Sequence, residues 1–265
     1  MALALVLWRV KGKTAKTIAA LVVLGIASIL PIQGYWAYEK EKEAANAYRE
    51  RLANAQALFD ERCKTAGEKI YKTVDNVEGA LLMKIRPDKV NFFDQYAMDD
   101  PYGRDVGGRG YIGSFLRAVS GTELNKRVAE GRRVGFSYVE VSDIASKKLY
   151  RYTGVIKSVD GRDPNFELEI VEVTNPSAVY GITYEDISTK EDRDHWIAGG
   201  LLKILNLQTN SVIAERTGYI FDRGLGSTEG GRGPWEAAEA CSGVDRKYGH
   251  NARFVFKALK PTEGK

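Results

Sequence analysis

The chain has 265 residues, 44% of them apolar and 28% charged, with 27 Gly and 7 Pro. This composition excludes collagen-like and low-complexity chains and is long enough for one large domain or two small ones. The net charge is +4, and Arg9, Lys11, Lys13 and Lys16 supply all of it, which leaves 35 bases against 35 acids in the rest of the chain. A neutral body with no basic stripe argues against a phosphate-tracking surface, because counterion release needs clustered Lys or Arg. Nucleic acid is not an expected partner.

From Thr17 to Tyr38 the stretch TIAALVVLGIASILPIQGYWAY holds 22 residues without a charge, against about 20 needed to cross a hydrocarbon core. Four bases precede it and the mixed run EKEKE at 39–43 follows, so the positive-inside rule puts residues 1–16 in the cytoplasm and everything after Tyr38 outside. Tyr35, Trp36 and Tyr38 sit at the exit end, where aromatic rings favour the headgroup level. Pro31 is expected to kink this helix rather than end it. A cleaved signal peptide is the competing reading. The apolar core exceeds the usual h-region of roughly 7 to 15 residues, while Ala37, Ala44, Ala45 and Ala47 leave room for cleavage.

Residues 39–66 read as a helix, rich in Ala, Glu, Lys and Arg and free of Gly and Pro until Gly67 stops it. Ala45, Tyr48, Leu52, Ala55 and Phe59 form a narrow apolar seam, suited to packing on the protein's own sheet or to a short stalk. Two heptads are too few for a coiled coil, which favours packing on the sheet.

From Gly67 the pattern turns extended. Strands are expected at Ile70–Val77 and Ala80–Ile85, then around Val134–Val141 and in KLYRYTGVIKSV as an antiparallel pair joined through Ser142–Lys147. Further strands are expected in FELEIVEV at 166–173, in SAVYGITYEDI at 177–187 and in ARFVFKAL at 252–259. The pair Trp196–Leu207 and Ser211–Phe221 around Gln208, Thr209 and Asn210 is the clearest hairpin signal. Short helices are expected within Gly113–Gly131 and Pro234–Ala240. Connections this short exclude repeated crossover helices, so residues 67–265 read as one α+β domain with a mainly antiparallel sheet.

Cys63 and Cys241 are the only cysteines. In an oxidising compartment an even pair is read as a disulfide, the alternative being two buried thiols. Metal binding is not expected, since no CxxC or HxxxH spacing occurs and the chain has only His195 and His250. No GxSxG elbow is present, and neither histidine has a signature partner, so no catalytic residue is assigned. The GxGxxG match at Gly108–Gly113 lacks a preceding strand and the acid about 20 residues on, so no cofactor is expected. The Gly-rich run Gly224–Gly233 has no GK[ST] and reads as a mobile loop.

In NFFDQYAMDDPYGRD the acids Asp94, Asp99, Asp100 and Asp105 lie among aromatic residues without the order of a calcium loop. An ordered turn-rich loop and a protein-binding loop both fit this segment. In the second reading Phe93, Tyr96, Asp99, Asp100, Tyr102 and Arg104 contact the partner.

The strings FDERCKTAGEKIYKTVDNVEGALLMKIRP at Phe59–Pro87, DDPYGRD and GGRGYIGSFLR at Asp99–Arg117, and the later YVEV, LYRYT and TGYIFDRG resemble a family of immunity proteins. Members of that family are membrane-anchored or lipidated and are encoded beside type VI secretion lipase effectors in proteobacteria. The resemblance covers about residues 59–260. It implies an inner-membrane, periplasm-facing protein that binds a phospholipase effector and blocks its active site or its access to the membrane, without catalysis. The amino-terminal apolar segment has no Cys to carry lipid. That departure bears on the mode of attachment and not on the compartment. The alternative reading is an assembly subunit of an envelope complex, with residues 39–66 as its stalk.

Overall fold

A computed structural model describes residues 12–97, 107–117, 135–143, 147–157, 165–241 and 250–262. The chain divides into two units, Met1–Asn54 and Ala55–Lys265. Helix α1 (Lys13–Cys63) runs continuously with Pro31 inside it. It is long and apolar enough, by length and composition, to cross a membrane. Ile18, Leu21, Leu24, Ile29, Tyr35 and Trp36 are all exposed, as lipid-facing side chains would be. Of the expected seam, Ala45 and Tyr48 are exposed, Leu52 is half-buried, and Ala55 and Phe59 are buried. Within the second unit, the last turns of α1 are thus packed through Ala55 and Phe59.

In the second unit the strands are β1 (Gly67–Ile70), β2 (Val74–Val77), β3 (Gly79–Leu82), β4 (Tyr138–Ser142), β5 (Leu149–Lys157), β6 (Asn165–Val173), β7 (Tyr180–Asp186), β8 (Ile197–Asn206), β9 (Ser211–Phe221), β10 (Glu239–Ala240) and β11 (Leu259–Pro261). Between them lie α2 (Gly108–Arg117), α3 (Lys190–Asp194), α4 (Pro234–Ala237) and α5 (His250–Ala258). The large sheet has the order β1-β9-β8-β7-β3-β4-β5-β6, with β10 also on β9, and β11 pairs β2 in a second sheet. Pairing is mainly antiparallel, and β3 lies parallel to both β4 and β7. The expected α+β class with a mainly antiparallel sheet is what the second unit shows.

The register Ala214, Ile204, Ile182, Leu82 and Val141 carries one apolar row across five strands. That face meets Tyr111, Phe115 and Leu116 of α2 and Ala252, Phe254 and Val255 of α5 in a single core. Each fully buried side chain of this kind contributes about 1.5 to 3 kcal/mol. On the other face Glu140 is fully buried and accepts from Arg151 Nη2 at 2.7 Å and from the amides of Ser177 and Ala178, each at 3.0 Å.

Several expectations are corrected. The single strand Ile70–Val77 is two strands in different sheets: the amides of Tyr71 and Lys72 both donate to the Ile213 carbonyl, which turns the chain off β9 before β2 begins. The Ala80–Ile85 strand is Gly79–Leu82. ARFVFKAL is not a strand but α5 followed by β11. Phe254 and Phe256 alternate, yet Ala252, Val255 and Ala258 recur at helical spacing and are buried against the sheet. The helix expected from Gly113 begins at Gly108, so GxGxxG lies inside α2, and residues 118–134 are outside the described set. The helix expected over Pro234–Ala240 stops at Ala237, and β10 pairs with β9 instead. The hairpin stands as β8 and β9, with the Asn206 side chain accepting from the amides of Gln208 and Thr209 to close the turn.

Cys63, the last residue of α1, is disulfide-bonded to Cys241, 178 positions on. By loop entropy a bridge of this span contributes about 4 to 5 kcal/mol. Cys63→Ser is expected to lower the melting temperature of the oxidised protein to that of the reduced wild type, and to leave the reduced protein unchanged. Equal melting of the wild type with and without reductant would contradict this.

Candidate functional site

Of the six expected contact residues, Phe93 and Tyr96 are described, while Asp99, Asp100, Tyr102 and Arg104 lie outside the described residues. Residues 91–97 form two successive turns, each nucleated by its own side chain. Asn91 Oδ1 accepts the Phe93 amide at 3.1 Å, and Asp94 Oδ1 accepts the Tyr96 amide at 2.9 Å. Such Asx turns substitute side-chain acceptors for absent ladder partners. Phe93 and Tyr96 are left 55% and 58% exposed. An exposed ring on a loop gives a rigid contact only if the loop itself is fixed.

Here it is fixed from below. Trp235 of α4 donates its indole Nε1–H to the Asp94 carbonyl at 2.8 Å and its amide to the Phe92 carbonyl at 3.3 Å. Gln95 donates its side-chain amide to the Arg193 carbonyl, and Arg193 returns a bond to the Gln95 carbonyl at 3.4 Å. Tyr96 donates its hydroxyl to Asp194 at 3.3 Å. Arg193 is itself buried, pairs with Asp186 at 2.6 Å, and lies 5.8 Å from the Trp235 ring centroid.

Beneath Trp235 is Trp196, with ring centroids 5.2 Å apart. Trp196 has φ 57°, a left-handed conformation that costs a bulky residue roughly 1 to 3 kcal/mol. Its amide donates to the Arg193 carbonyl at 3.0 Å, and its carbonyl accepts from the Asp222 amide at 2.9 Å. The Gly-rich run after Asp222, expected to be mobile, is instead held by that buried carboxylate. Asp222 accepts from the amides of Gly224 and Gly226, at 3.1 and 2.8 Å, and pairs with Arg232 at the far end of the run. Gly226 has φ 87°, and a Cβ there would lie 2.3 Å from the Trp196 indole.

Short helix α3 completes the support through a capping box between Thr189 and Asp192. Asp192 is fully buried, and Arg62 in the last turn of α1 donates to it at 2.8 Å. The hydrogen bond to Asp192 raises the Arg62 guanidinium above its ordinary value. His195 is the carboxyl-terminal cap residue of α3, with Nδ1 2.9 Å from the Glu191 carbonyl, and His250 begins α5. Among the described residues no three His, Cys, Asp or Glu side chains converge as a metal site would require.

Sequence reasoning singled out Phe93 and Tyr96 but not Trp196, Arg193, Asp222, Arg232 or Trp235, which fix them. The available signal was Asp222 two and four residues before Gly224 and Gly226, the spacing of a carboxylate-nucleated turn. The chain matches no protein-family model, no curated protein and no solved structure.

Gly226→Ala combines a left-handed backbone with a collision against Trp196 and is expected to destabilise the domain by about 2 to 5 kcal/mol. Urea unfolding followed by tryptophan fluorescence measures it, and an unchanged midpoint would contradict it. The Asp194 carboxyl is held below its ordinary value, first by the hydrogen bond from Lys190 and further by that from Tyr96. A carboxylate depressed in the folded state stabilises above its unfolded pKa and loses that contribution as pH falls through the folded one. The tie from Tyr96 to Asp194 is therefore expected to persist at neutral pH and to weaken only on the acid side of the ordinary Asp range. A carboxyl NMR titration of Asp194 with an unshifted midpoint would contradict this.

Proposed function

We propose that this protein is a single-pass inner-membrane immunity protein whose periplasmic domain neutralises a type VI secretion lipase effector by binding it, without catalysis of its own. The observation that carries this reading is the pair of exposed rings, Phe93 and Tyr96, on a loop tied down by Trp235, Gln95 and Arg193. Rigid aromatic anchors give large contact area with little ordering cost, as an inhibitor held ready for its target requires. Asp94 lies beside the rings on the same surface, and Asp194 there is paired with Lys190 at 2.7 Å. The apolar helix with Arg9, Lys11, Lys13 and Lys16 at its amino-terminal end supports this compartment, and the Cys63–Cys241 bridge is compatible with an oxidising space. Anchoring would hold the inhibitor at the surface that a phospholipase attacks.

The test is survival of cells that express the product of the neighbouring gene, directed to the periplasm, with and without this protein. Rescue is expected with the wild type and with the His195→Ala, His250→Ala double variant. Phe93→Ala with Tyr96→Ala is expected to abolish rescue while leaving the fold intact, since exposed substitutions seldom shift stability by more than about 0.5 kcal/mol. A harmless neighbour, or toxicity that the protein does not relieve, would turn the reading toward an envelope-assembly subunit.

A further inference from the structure

We infer that the Cys63–Cys241 bridge is a redox latch on the aromatic loop. Oxidation pins the segment that carries Trp235 beneath residues 91–97, and reduction lets that segment and the loop open together. Only the consequence in cells, a partner-binding surface that is set once the chain meets an oxidising space, rests on the reading proposed above.

The two cysteines stand in unequal surroundings. Cys63 lies in a stretch that is held without the bridge. Phe59, one turn earlier, packs on Phe221, Arg62 donates to buried Asp192 at 2.8 Å, and Gly67 opens β1 opposite Thr217 of β9. Cys241 ends a stretch with little regular structure. Between Gly233 and Cys241 come only the four residues of α4 and the two of β10, Glu239 and Ala240, which pair with Phe221 and Ile220. Elements this short have little stability of their own. The Cys241 amide donates to the Tyr219 carbonyl at 3.1 Å, and the bridge then ties the segment covalently to the end of α1. Cys63 is the post, and Cys241 is the end of the strap.

The strap carries support for the loop. Trp235 bonds the Asp94 carbonyl through its indole and the Phe92 carbonyl through its amide, and its ring lies 5.2 Å from that of Trp196. With the bridge broken, buried Trp235 and Ala238 still return the strap to its place, so the change is in how often it opens. Each opening breaks both bonds to the loop at once. Helix α3 does not share this fate, because Arg62 and Asp192 hold it from the side of the post.

Cys241 is buried and Cys63 half-buried, so an incoming thiolate attacks at Cys63. The S–S bond breaks and Cys241 leaves as a thiolate that takes up a proton. The second thiol of a dithiol reductant then displaces Cys63, leaving two cysteine thiols and the reductant's own disulfide. Oxidised glutathione reverses the exchange, taking two electrons and leaving as two glutathione thiols.

The test is hydrogen exchange, read residue by residue on the full chain in lipid nanodiscs: oxidised, reduced with dithiothreitol, and reoxidised with oxidised glutathione. On reduction the amides of Asp94, Tyr96, Trp235 and Ala237 are expected to exchange about tenfold faster, at rates insensitive to sub-denaturing urea, the mark of local opening. Those of Asp192 and Arg193 in α3 should not accelerate in this way, and reoxidation should restore the slow rates. The oxidised Leu82→Ala variant, weakened in the core with its bridge intact, should leave the four amides unchanged. Equal exchange of oxidised and reduced protein at Trp235 and Tyr96 would overturn the latch. So would urea-dependent acceleration shared with α3 and the central strands, or the same acceleration in Leu82→Ala, since either reports unfolding of the whole domain. With the product of the neighbouring gene as probe, the oxidised chain should bind about tenfold more tightly than the reduced one. Equal binding of that product by both forms would overturn the role of the latch in recognition. Redox-dependent exchange with no binding in either form would overturn the immunity reading and leave the latch standing.

Discussion

The buried carboxylate of Asp192 is the constraint on which the end of the domain that carries the 91–97 loop depends. It has no exposed surface, so its charge must be met inside the protein, and two elements meet it. Arg62 supplies the counter-charge from the last turn of α1, and the Thr189 amide bonds its second oxygen at 2.8 Å. One group thereby closes the amino-terminal cap of α3 and ties α3 to the end of α1. Removing the arginine would leave an uncompensated charge in the interior, which typically costs about 3 to 5 kcal/mol. Phe59 against Phe221, with ring centroids 5.4 Å apart, and the Cys63–Cys241 bridge secure the same turns by packing and by covalency.

From Asp192 the dependence runs outward. The next residue, Arg193, holds Asp186, faces Trp235 and exchanges backbone and side-chain bonds with Gln95. Asp194 then receives the Tyr96 hydroxyl. Three consecutive residues of one five-residue helix thus join the end of α1, the tryptophan pair and the loop that carries Phe93 and Tyr96. A helix this short has little stability of its own, so its order comes from these contacts and its cap. The loop that carries the exposed rings is tied to buried Trp235 and Arg193 through the Asp94, Phe92 and Gln95 carbonyls.

The parts legible in the sequence were those whose cause is local. Alternation on both sides of Asn206–Asn210 marks β8 and β9, and the cysteine pair follows from the compartment that the apolar segment implies. Phe93 and Tyr96 stood out as aromatic residues among turn formers, a local signal as well. What was not legible depends on partners distant in the chain. Phe254 and Phe256 mimic a strand in a short window, and only the sheet under Ala252, Val255 and Ala258 decides for a helix. Leu259 finds its parallel partner at Val74, a pairing that no local pattern announces. The run Gly224–Gly233 looked loose because its order resides in Asp222, Arg232 and the Trp196 indole at its borders.

The two edges of the large sheet are unlike in a way that the core does not require. At the β1 edge the strand has only four residues, it carries Lys69, and Glu68 is paired with Lys257 of α5 at 2.6 Å. The chain then turns away through the two amides on the Ile213 carbonyl, and β10 continues the line along β9. These features discourage a further strand. At the other end β6 is nine residues long, regular and acidic. The chain after Lys16 is neutral overall, and two of its carboxylates are met locally, Glu172 on this edge by Lys148 at 2.8 Å and Asp194 beside the aromatic loop by Lys190 at 2.7 Å. Carboxylates on such an edge discourage pairing with a second copy of the same strand, so a long, regular edge can stay soluble without being shortened, bulged or broken by Pro.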